Sequence, residues 1–362
     1  KHKMNYASET ILHIDLSVLE KNLNYFKKNL NPNTKIIAVV KAFAYGHGDI
    51  EISKKLEALG VYALWVSDFE EGVMLRKSGI KIKIIVANPG LKSYNQIIKN
   101  NLDVVLYNYK LLNLYCTNKD RINVHIKFDT GMNRYGFCKN DVPNIITKLN
   151  KNRHLKLNSI CSHLAASEDK SKKKETLDQI KLFKLIGTEF DSILGKTVCK
   201  HILNSNGVIN FNDYQMDGVR IGIGLYGAAK HKQLRQISAL TSVITQIKKL
   251  KKGDKIGYGF SFTAKQNMLI AVIPVGYADG LNRRLSNMNG HIYINNSNCR
   301  IVGKISMDSC MVDVSDVKAN EGDRVEIFGA NLSVFEIAEK TNTIPYEIYS
   351  TLNRRIKRVY KN

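Results

Sequence analysis

The chain has 362 residues, 44% of them hydrophobic, which is enough for a large core and favours two domains over one. No apolar run approaches the roughly 18 residues of a membrane helix, and residues 1–10 lack the apolar segment of a signal peptide, so we expect a cytoplasmic protein without a membrane partner. The six cysteines are scattered without a C-x-x-C pair, which predicts reduced thiols and no metal site.

The net charge of +23 raises the question of nucleic-acid binding. The lysines are nevertheless spread along the chain, and the one dense run, at residues 170–174, opens a helical pattern that is typical of a solvated face. No recognised nucleic-acid-binding motif accompanies them. We therefore expect no nucleic-acid partner and interpret the charge as a general attraction for anionic ligands.

Between residues 35 and 222, short β-rich apolar runs alternate with helical patterns. The predicted strands are residues 35–40, 61–66, 82–86, 103–106, 122–128, 157–163, 198–204 and 217–221, and clear helical patterns lie at 50–59, 69–77, 94–99 and 172–193. Near-continuous apolar strands between helices are typical of a parallel sheet covered by helices. Eight such units predict a TIM barrel. A helical pattern at 16–30, capped by Asp15 or Ser17, is predicted to complete the helix ring.

Beyond residue 232 the pattern changes to alternating segments separated by turns. Strands are predicted at residues 239–247, 268–273, 291–294, 299–305, 311–314 and 324–327, with one short helix at 334–340. This pattern of short alternating segments separated by turns is typical of a mostly β domain. The predicted fold is therefore α/β, with an N-terminal TIM barrel at residues 1–231 and a mostly β domain at residues 232–362.

The most informative segment is the apolar run 36–40, which ends on Lys41. Burying a lysine at the inner end of a strand is costly. Such a lysine is retained when its amine acts as a nucleophile toward carbonyls. It can equally be a strand-end lysine that extends to solvent, and the segment alone leaves both interpretations open. Tyr45 lies four residues further on, where a phenol could reach whatever the lysine binds.

Other polar residues follow the predicted strands on the same rim, where the active site of a TIM barrel lies. They are Lys127, Arg134, His163, Asn204, Ser205 and Arg220, with the backbone of Gly222 and Ile223. Each residue alone has an ordinary structural explanation, but their agreement on one rim indicates an active site. The loops after strands seven and eight usually hold a phosphate in this fold. A reactive lysine beside a phosphate site, a histidine and two arginines indicates pyridoxal 5′-phosphate (PLP).

Over its whole length the sequence resembles the alanine racemases, PLP enzymes of fold type III. The barrel motifs that carry the resemblance are Val-Val-Lys41-Ala-x-Ala-Tyr45-Gly-His-Gly, Lys127-x-Asp-Thr-Gly-Met-x-Arg134-x-Gly, Ser-His163, Asn204-Ser205 and Arg220-x-Gly-Ile-x-x-Tyr-Gly. Those of the second domain are Gly257-Tyr258-Gly, Val275-Gly-Tyr277-Ala-Asp-Gly280, Ile305-Ser-Met307-Asp308 and Tyr346-Glu-Ile. One departure is Phe43, where many relatives have a polar residue.

The resemblance implies a role for each matching residue. Lys41 would bind PLP covalently and act as one base, and Tyr258 would be the opposite base. The cofactor would also contact Tyr45, His163, Asn204, Ser205, Arg220, Gly222, Ile223 and Tyr346, with Arg220 facing the pyridine nitrogen. Arg134, Met307 and Tyr277 would contact the substrate, and Lys127 would be carbamylated or replaced functionally by a chloride ion. The family also implies a homodimer in which Tyr258 and Met307 enter the partner's active site.

The expected reaction is the interconversion of L-alanine and D-alanine, which supplies D-alanine for bacterial peptidoglycan. A racemase of serine or of broader specificity remains an alternative, since the scaffold would be the same. A non-catalytic PLP-binding protein is a further alternative, but such barrels lack the second domain and its tyrosine. The absence of methionine at position 1 leaves open whether the chain is part of a longer polypeptide.

Overall fold

The computed structural model describes residues 8–362, and its N-terminal part contains a closed barrel of eight parallel strands. The barrel closes where the first strand pairs in parallel with the last. The strands are Lys35–Val39, Ala63–Val66, Lys83–Val86, Asp103–Leu106, Ile122–Lys127, Leu155–Cys161, Cys199–His201 and Gly218–Ile221. Strands such as Ala63–Val66 are buried at every position, because helices cover one face and the barrel interior covers the other.

Helices alternate with these strands. They are Leu16–Asn29, Asp49–Ala58, Phe69–Lys77, Tyr94–Lys99, Tyr109–Thr117, Val142–Lys151, Lys173–Leu194 and Ser205–Asn210. The first begins after Asp15, whose carboxylate accepts hydrogen bonds from the backbone N–H groups of Ser17 and Val18 at 2.9 and 3.1 Å. Asn22 in this helix donates to the carbonyl of Leu225, beyond the last barrel strand, at 3.0 Å. The helix predicted at residues 16–30 therefore packs beside the segment that follows the last barrel strand, where it completes the ring of helices.

The second domain is built on a nine-stranded sheet. In spatial order its strands are Gln246–Leu250, Met268–Ile273, Cys310–Asp313, Ser297–Val302, His291–Ile294, Arg324–Phe328, Ser238–Val243, Ile11–Asp15 and Lys357–Lys361. A separate hairpin joins Lys255–Ile256 to Phe262–Thr263, and two helices, Val334–Lys340 and Pro345–Ser350, complete the domain. The prediction of a barrel followed by a mostly β domain is confirmed.

Three details differ from the sequence prediction. The predicted strand 239–247 is two strands, Ser238–Val243 and Gln246–Leu250, which pair with different partners. The predicted strands 157–163 and 198–204 end earlier, at Cys161 and His201, so the polar residues that follow lie in loops. The strand Ile11–Asp15 lies in the sheet of the second domain, although it precedes the barrel.

The domain boundary between residues 231 and 232 therefore stays a prediction. Residues 1–7 of the predicted first domain lie outside the described part of the chain. Within residues 8–362, no helix combines the length and the apolar character needed to cross a membrane.

Candidate active site

A cavity of about 320 Å³ lies at the carboxyl ends of the barrel strands. Lys41 comes two residues after the first strand, Lys127 ends the fifth, and His163 lies two residues beyond the sixth. Arg220 belongs to the eighth strand. All four line the cavity, which is the rim that the sequence predicts for them.

The lysine stands at the start of a left-handed turn. The φ angles of the next four residues, Ala42, Phe43, Ala44 and Tyr45, are 54°, 55°, 51° and 53°. This conformation costs an L-residue roughly 1–2 kcal/mol. Four such residues in succession persist only where surrounding contacts hold them.

Two charged side chains from distant parts of the chain hold this turn. At its start, the Glu71 carboxylate accepts a hydrogen bond from the backbone N–H of Ala42 at 2.6 Å. At its end, the Arg358 guanidinium donates to the carbonyl of Gly46 from Nε and Nη2, at 3.1 and 2.9 Å. The guanidinium of Arg358 also lies 5.2 Å from the ring centre of Phe43, so the residue that departs from the family pattern has a cationic neighbour.

The surroundings of Lys41 favour its neutral amine. Desolvation lowers the pKa of the amine, repulsion from Arg134 lowers it further, and the Glu71 carboxylate acts in the opposite direction. A neutral amine is the form that attacks a carbonyl. Lys41 is exposed in the single chain but lines the cavity, and its lowered pKa suits a nucleophile.

A group of hydroxyl-bearing side chains lines the same cavity as the lysine. Tyr45, Tyr346, Ser205 and Gly222 all line the cavity. Burial raises the pKa of Tyr45, and it raises that of Tyr346 to about 12, so both phenols keep the proton that a phosphate oxygen would accept. A Cβ on Gly222 would lie only 2.5 Å from the Tyr45 hydroxyl oxygen, so a glycine keeps this gap open. A phosphate group fits these donors.

The neighbouring loop differs in detail from the prediction. The Ser205 hydroxyl oxygen accepts hydrogen bonds from the amides of Gly222 and Gly224 at 3.0 and 3.1 Å, so the Gly222 amide already has a partner within the protein. The Asn204 side chain caps the helix Ser205–Asn210 by accepting from the amide of Gly207 at 2.8 Å. Ile223, like Asn204, lines the cavity.

Arg220 is buried and held on two sides. Its Nη1 donates to Nδ1 of His201, and its Nη2 donates to the carbonyl of Ser162 and, at 3.2 Å, to Nδ1 of His163. Burial, followed by repulsion from Arg220, sets the pKa of His163 well below its usual value, so this histidine is neutral. His163 and Arg220 are therefore in direct contact at the cavity.

Lys127 and Arg134 bring two further cations into the cavity. Desolvation lowers the pKa of Lys127 to about 8, repulsion from Arg220 and Arg134 acts in the same direction, and Cys161 opposes it. Asp129 shapes the loop that carries Arg134, because its carboxylate accepts from the amide of Arg134 at 3.1 Å. The second arginine is thus placed opposite the lysine-bearing turn by local hydrogen bonds.

Three predicted site residues lie elsewhere in the described chain. Tyr258, Tyr277 and Met307 are 70%, 44% and 53% exposed, and none lines the cavity of its own barrel. Tyr258 occupies the tip of the hairpin between Lys255–Ile256 and Phe262–Thr263. One chain by itself therefore brings the predicted barrel residues and Tyr346 together, but not Tyr258, Tyr277 or Met307.

Two family models match this architecture. The alanine racemase N-terminal domain matches residues 14–230, and the alanine racemase C-terminal domain matches residues 237–360. The chain belongs to the alanine racemase family. The family resemblance and the enzyme class that the motifs imply are thereby confirmed.

Individual members of the family agree over nearly full length. Alanine racemase 1 of Caldanaerobacter subterraneus subsp. tengcongensis is 38% identical over 377 residues, which cover 99% of this chain and 96% of the relative. The solved alanine racemase of Clostridium difficile 630 has a TM-score of 0.91 at 32% identity, covering 99% of this chain and 97% of that one. The structure of the Bartonella henselae alanine racemase with covalently bound pyridoxal phosphate has a TM-score of 0.89 at 30% identity, covering 98% of this chain and 100% of that one.

Several residues of this alanine racemase site are absent from the sequence prediction. Glu71 and Arg358, which hold the lysine turn, carry no local signal, because both act through backbone groups far away in sequence. His201 could have been found by the criterion used for His163, since it is a polar residue near the end of a predicted strand. Trp65 stacks on Arg220, with the guanidinium 5.3 Å from its ring centre, and reads in sequence as an ordinary core residue.

Proposed function

We propose that this chain interconverts L-alanine and D-alanine with PLP covalently bound to Lys41. The observation that carries the proposal is a single cavity in which Lys41 faces Arg134, Arg220 and an open cradle beside Ser205. These groups can bind an aldehyde, a carboxylate, a ring nitrogen and a phosphate. That set matches PLP together with a small amino acid.

The cofactor contacts divide between the phosphate and the ring. The hydroxyl groups of Tyr45, Ser205 and Tyr346 would hold the phosphate. Arg220 keeps its proton at neutral pH, so it would donate a hydrogen bond to the pyridine nitrogen and leave that nitrogen unprotonated. The remaining contacts come from His163, Asn204, Gly222 and Ile223. When bound, PLP supplies the electron-accepting system that makes the Cα proton of the amino acid acidic.

Racemisation needs a proton acceptor on each face of Cα. The amine of Lys41 takes or returns the proton on one face, and the phenol of Tyr258 serves the other. A phenol has a reference pKa of about 10, so positive charge and hydrogen bonds must prepare it for this role. Arg134 holds the substrate carboxylate by charge-assisted hydrogen bonds, which keeps Cα between the two bases.

The second base would come from another copy of the chain. Tyr258, Tyr277 and Met307 are exposed together with Phe260, which is 69% exposed. Exposed large apolar side chains of this kind are typical of an interaction surface. In a homodimer, Tyr258 and Met307 of the partner subunit would complete each cavity, and Tyr277 would line its entrance.

Lys127 is proposed to be carbamylated. Its lowered pKa increases the neutral fraction that reacts with carbon dioxide, and the product replaces a cation beside Arg134 with an anion. A chloride ion at the same place would provide similar charge compensation. We place the enzyme in the cytoplasm, where its product would supply peptidoglycan synthesis.

A coupled assay tests the substrate. D-Amino-acid oxidase reports D-isomer formation from L-alanine, L-serine and L-lysine. We expect L-alanine to be used best, because Tyr346 lines the cavity and Tyr277 would narrow its entrance in the proposed dimer. A higher kcat/KM for L-serine or L-lysine would contradict the alanine assignment.

The cofactor site is tested separately by absorbance. Lys41→Ala should abolish the visible band of the covalently bound cofactor. Lys35→Ala is the matched control, because Lys35 stands at the opposite end of the same barrel strand and its substitution should leave the band intact. Retention of the band in Lys41→Ala would contradict the proposed attachment.

A further inference from the structure

A row of buried polar side chains crosses the barrel interior below the active-site cavity. It runs from Arg220 through His201, Ser159 and His125 to Asp103, which lie on five of the barrel strands. Their exposed fractions are 5%, 0%, 2%, 2% and 3% in that order. Barrel interiors are usually filled by apolar side chains, so a polar row of this length calls for a physical reason.

Each member contacts the next. Nη1 of Arg220 contacts Nδ1 of His201, and Nε2 of His201 lies 2.9 Å from the Ser159 hydroxyl oxygen. That hydroxyl lies 2.6 Å from Nδ1 of His125, and Nε2 of His125 lies 3.4 Å from Oδ2 of Asp103. Every ring nitrogen of the two histidines therefore has a partner within the row.

The direction of these hydrogen bonds is set at the arginine. A guanidinium can only donate, so Nδ1 of His201 must accept. His201 then carries its proton on Nε2 and donates to Ser159. The Ser159 hydroxyl, which accepts that bond, can donate its own proton to Nδ1 of a neutral His125. His125 in turn carries its proton on Nε2 and donates to Asp103.

The contacts at the opposite end agree with this direction. The carboxylate of Asp103 accepts from the side-chain amides of Asn123 and Asn158, at 2.9 and 3.2 Å. Oδ2 of this carboxylate can also accept from Nε2 of His125. With both histidines neutral, this contact leaves Nδ1 of His125 to accept from Ser159, so the direction read from Arg220 is consistent along the whole row.

We propose that Asp103, His125 and Ser159 are positioning residues that act through His201 to orient the Arg220 guanidinium. Hydrogen bonds in a chain polarise one another, so the whole row can hold the guanidinium more firmly than the contact with His201 alone. The benefit for catalysis rests on the proposed function, in which Arg220 faces the pyridine nitrogen of PLP. The row itself is defined without the cofactor.

Neutron crystallography of the deuterium-exchanged holoenzyme tests the row directly. We expect deuterium on Nε2 of both His201 and His125, none on Nδ1 of either, and the Ser159 hydroxyl deuterium directed at His125. Deuterium on Nδ1 of either histidine would overturn the proposal. This readout does not depend on catalytic activity, so it stands even if the enzyme uses another substrate.

A second experiment tests the consequence for the reaction. Ser159→Ala removes the central link, and we expect a roughly tenfold fall in kcat for alanine racemisation with little change in KM, because the contact with the substrate carboxylate is untouched. A larger share of pyruvate, the product of the transamination side reaction, should accompany it. Ser159→Thr restores a hydroxyl and should recover most of the rate.

The matched control is Ser53→Ala. Ser53 is also fully buried, on the helix Asp49–Ala58, and its hydroxyl has no partner among the described residues. We expect wild-type kinetics from this control. A Ser159→Ala enzyme with wild-type kcat and an unchanged pyruvate share would overturn the positioning role. Wild-type protein without alanine racemase activity would instead contradict the proposed function. The neutron result would then still test the hydrogen-bond arrangement of the row.

Discussion

Sharing of active sites between subunits can be tested by combining two inactive chains. Tyr258 is 70% exposed and does not line the cavity that contains Lys41 of the same chain, so each complete site should need both subunits. In the proposed homodimer, the Lys41→Ala and Tyr258→Phe variants would each lack one base in both sites. In a mixed dimer, the chain that keeps Lys41 receives the intact Tyr258 of the partner subunit. One site of two is then complete.

The expected magnitude follows from counting sites. Random mixing of equal amounts gives about half mixed dimers, so about one quarter of all sites are restored. Co-expression with two different affinity tags and tandem purification isolates the mixed dimer, in which about half of the sites are active. Racemisation per dimer is measured with the oxidase-coupled assay.

The control places both substitutions in one chain and pairs it with a wild-type chain. If sites are shared, the wild-type chain receives Phe at position 258 from its partner, and the dimer should have no complete site. If each chain were self-sufficient, this dimer would be half active and the dimer of two single variants would be inactive. That reversed pattern would refute the reasoning.

Three further predictions follow from the site. Gly222→Ala should weaken PLP binding by about 1–3 kcal/mol, measured by fluorescence titration, because its Cβ would lie 2.5 Å from the Tyr45 hydroxyl oxygen; unchanged affinity would contradict the cradle. Carbamylation of Lys127 should decline as the pH falls through about 8, because protonation removes the reactive neutral amine. The carbamate signal in ¹³C NMR after labelling with ¹³C-bicarbonate should show this decline, and a pH-independent signal would contradict the mechanism. Arg358→Leu should lower the free energy of unfolding by about 3 kcal/mol in urea titrations, because it strips donors from four backbone carbonyls. The control Arg354→Leu should cost less, since Arg354 contributes a stacking contact with the ring of Phe43, and equal losses would contradict the assignment.

The barrel and its rim could be predicted because both depend on local pattern. Runs such as Ala63–Val66 are apolar at every position, which is the signature of strands buried on both faces. Once eight such runs are recognised, the polar residue after each run falls on one rim by the geometry of parallel strands. Lys41, Lys127 and His163 were placed in this way, and all three line the cavity.

Contacts between distant segments could not be predicted in the same way. The strand Ile11–Asp15 pairs with Ser238–Val243 and Lys357–Lys361, and nothing in its five residues indicates either partner. Glu71 and Arg358 hold the lysine turn through its backbone, so no pattern of side-chain types reveals them. The role of Tyr258 came only from the family resemblance, because its position in the chain is remote from the barrel rim.

The amino-acid sequence by itself determined the barrel, the mostly β second domain and the set of chemical groups at the strand ends, since hydrophobic periodicity and residue type are local properties. Only the tertiary structure decided that the residues after Lys41 adopt a left-handed turn and that His201 presents an acceptor to Arg220. Both depend on groups that are close in space and far apart in the chain. The energy of a strained turn, and the direction of a buried hydrogen bond, are set by such neighbours and not by the residues themselves.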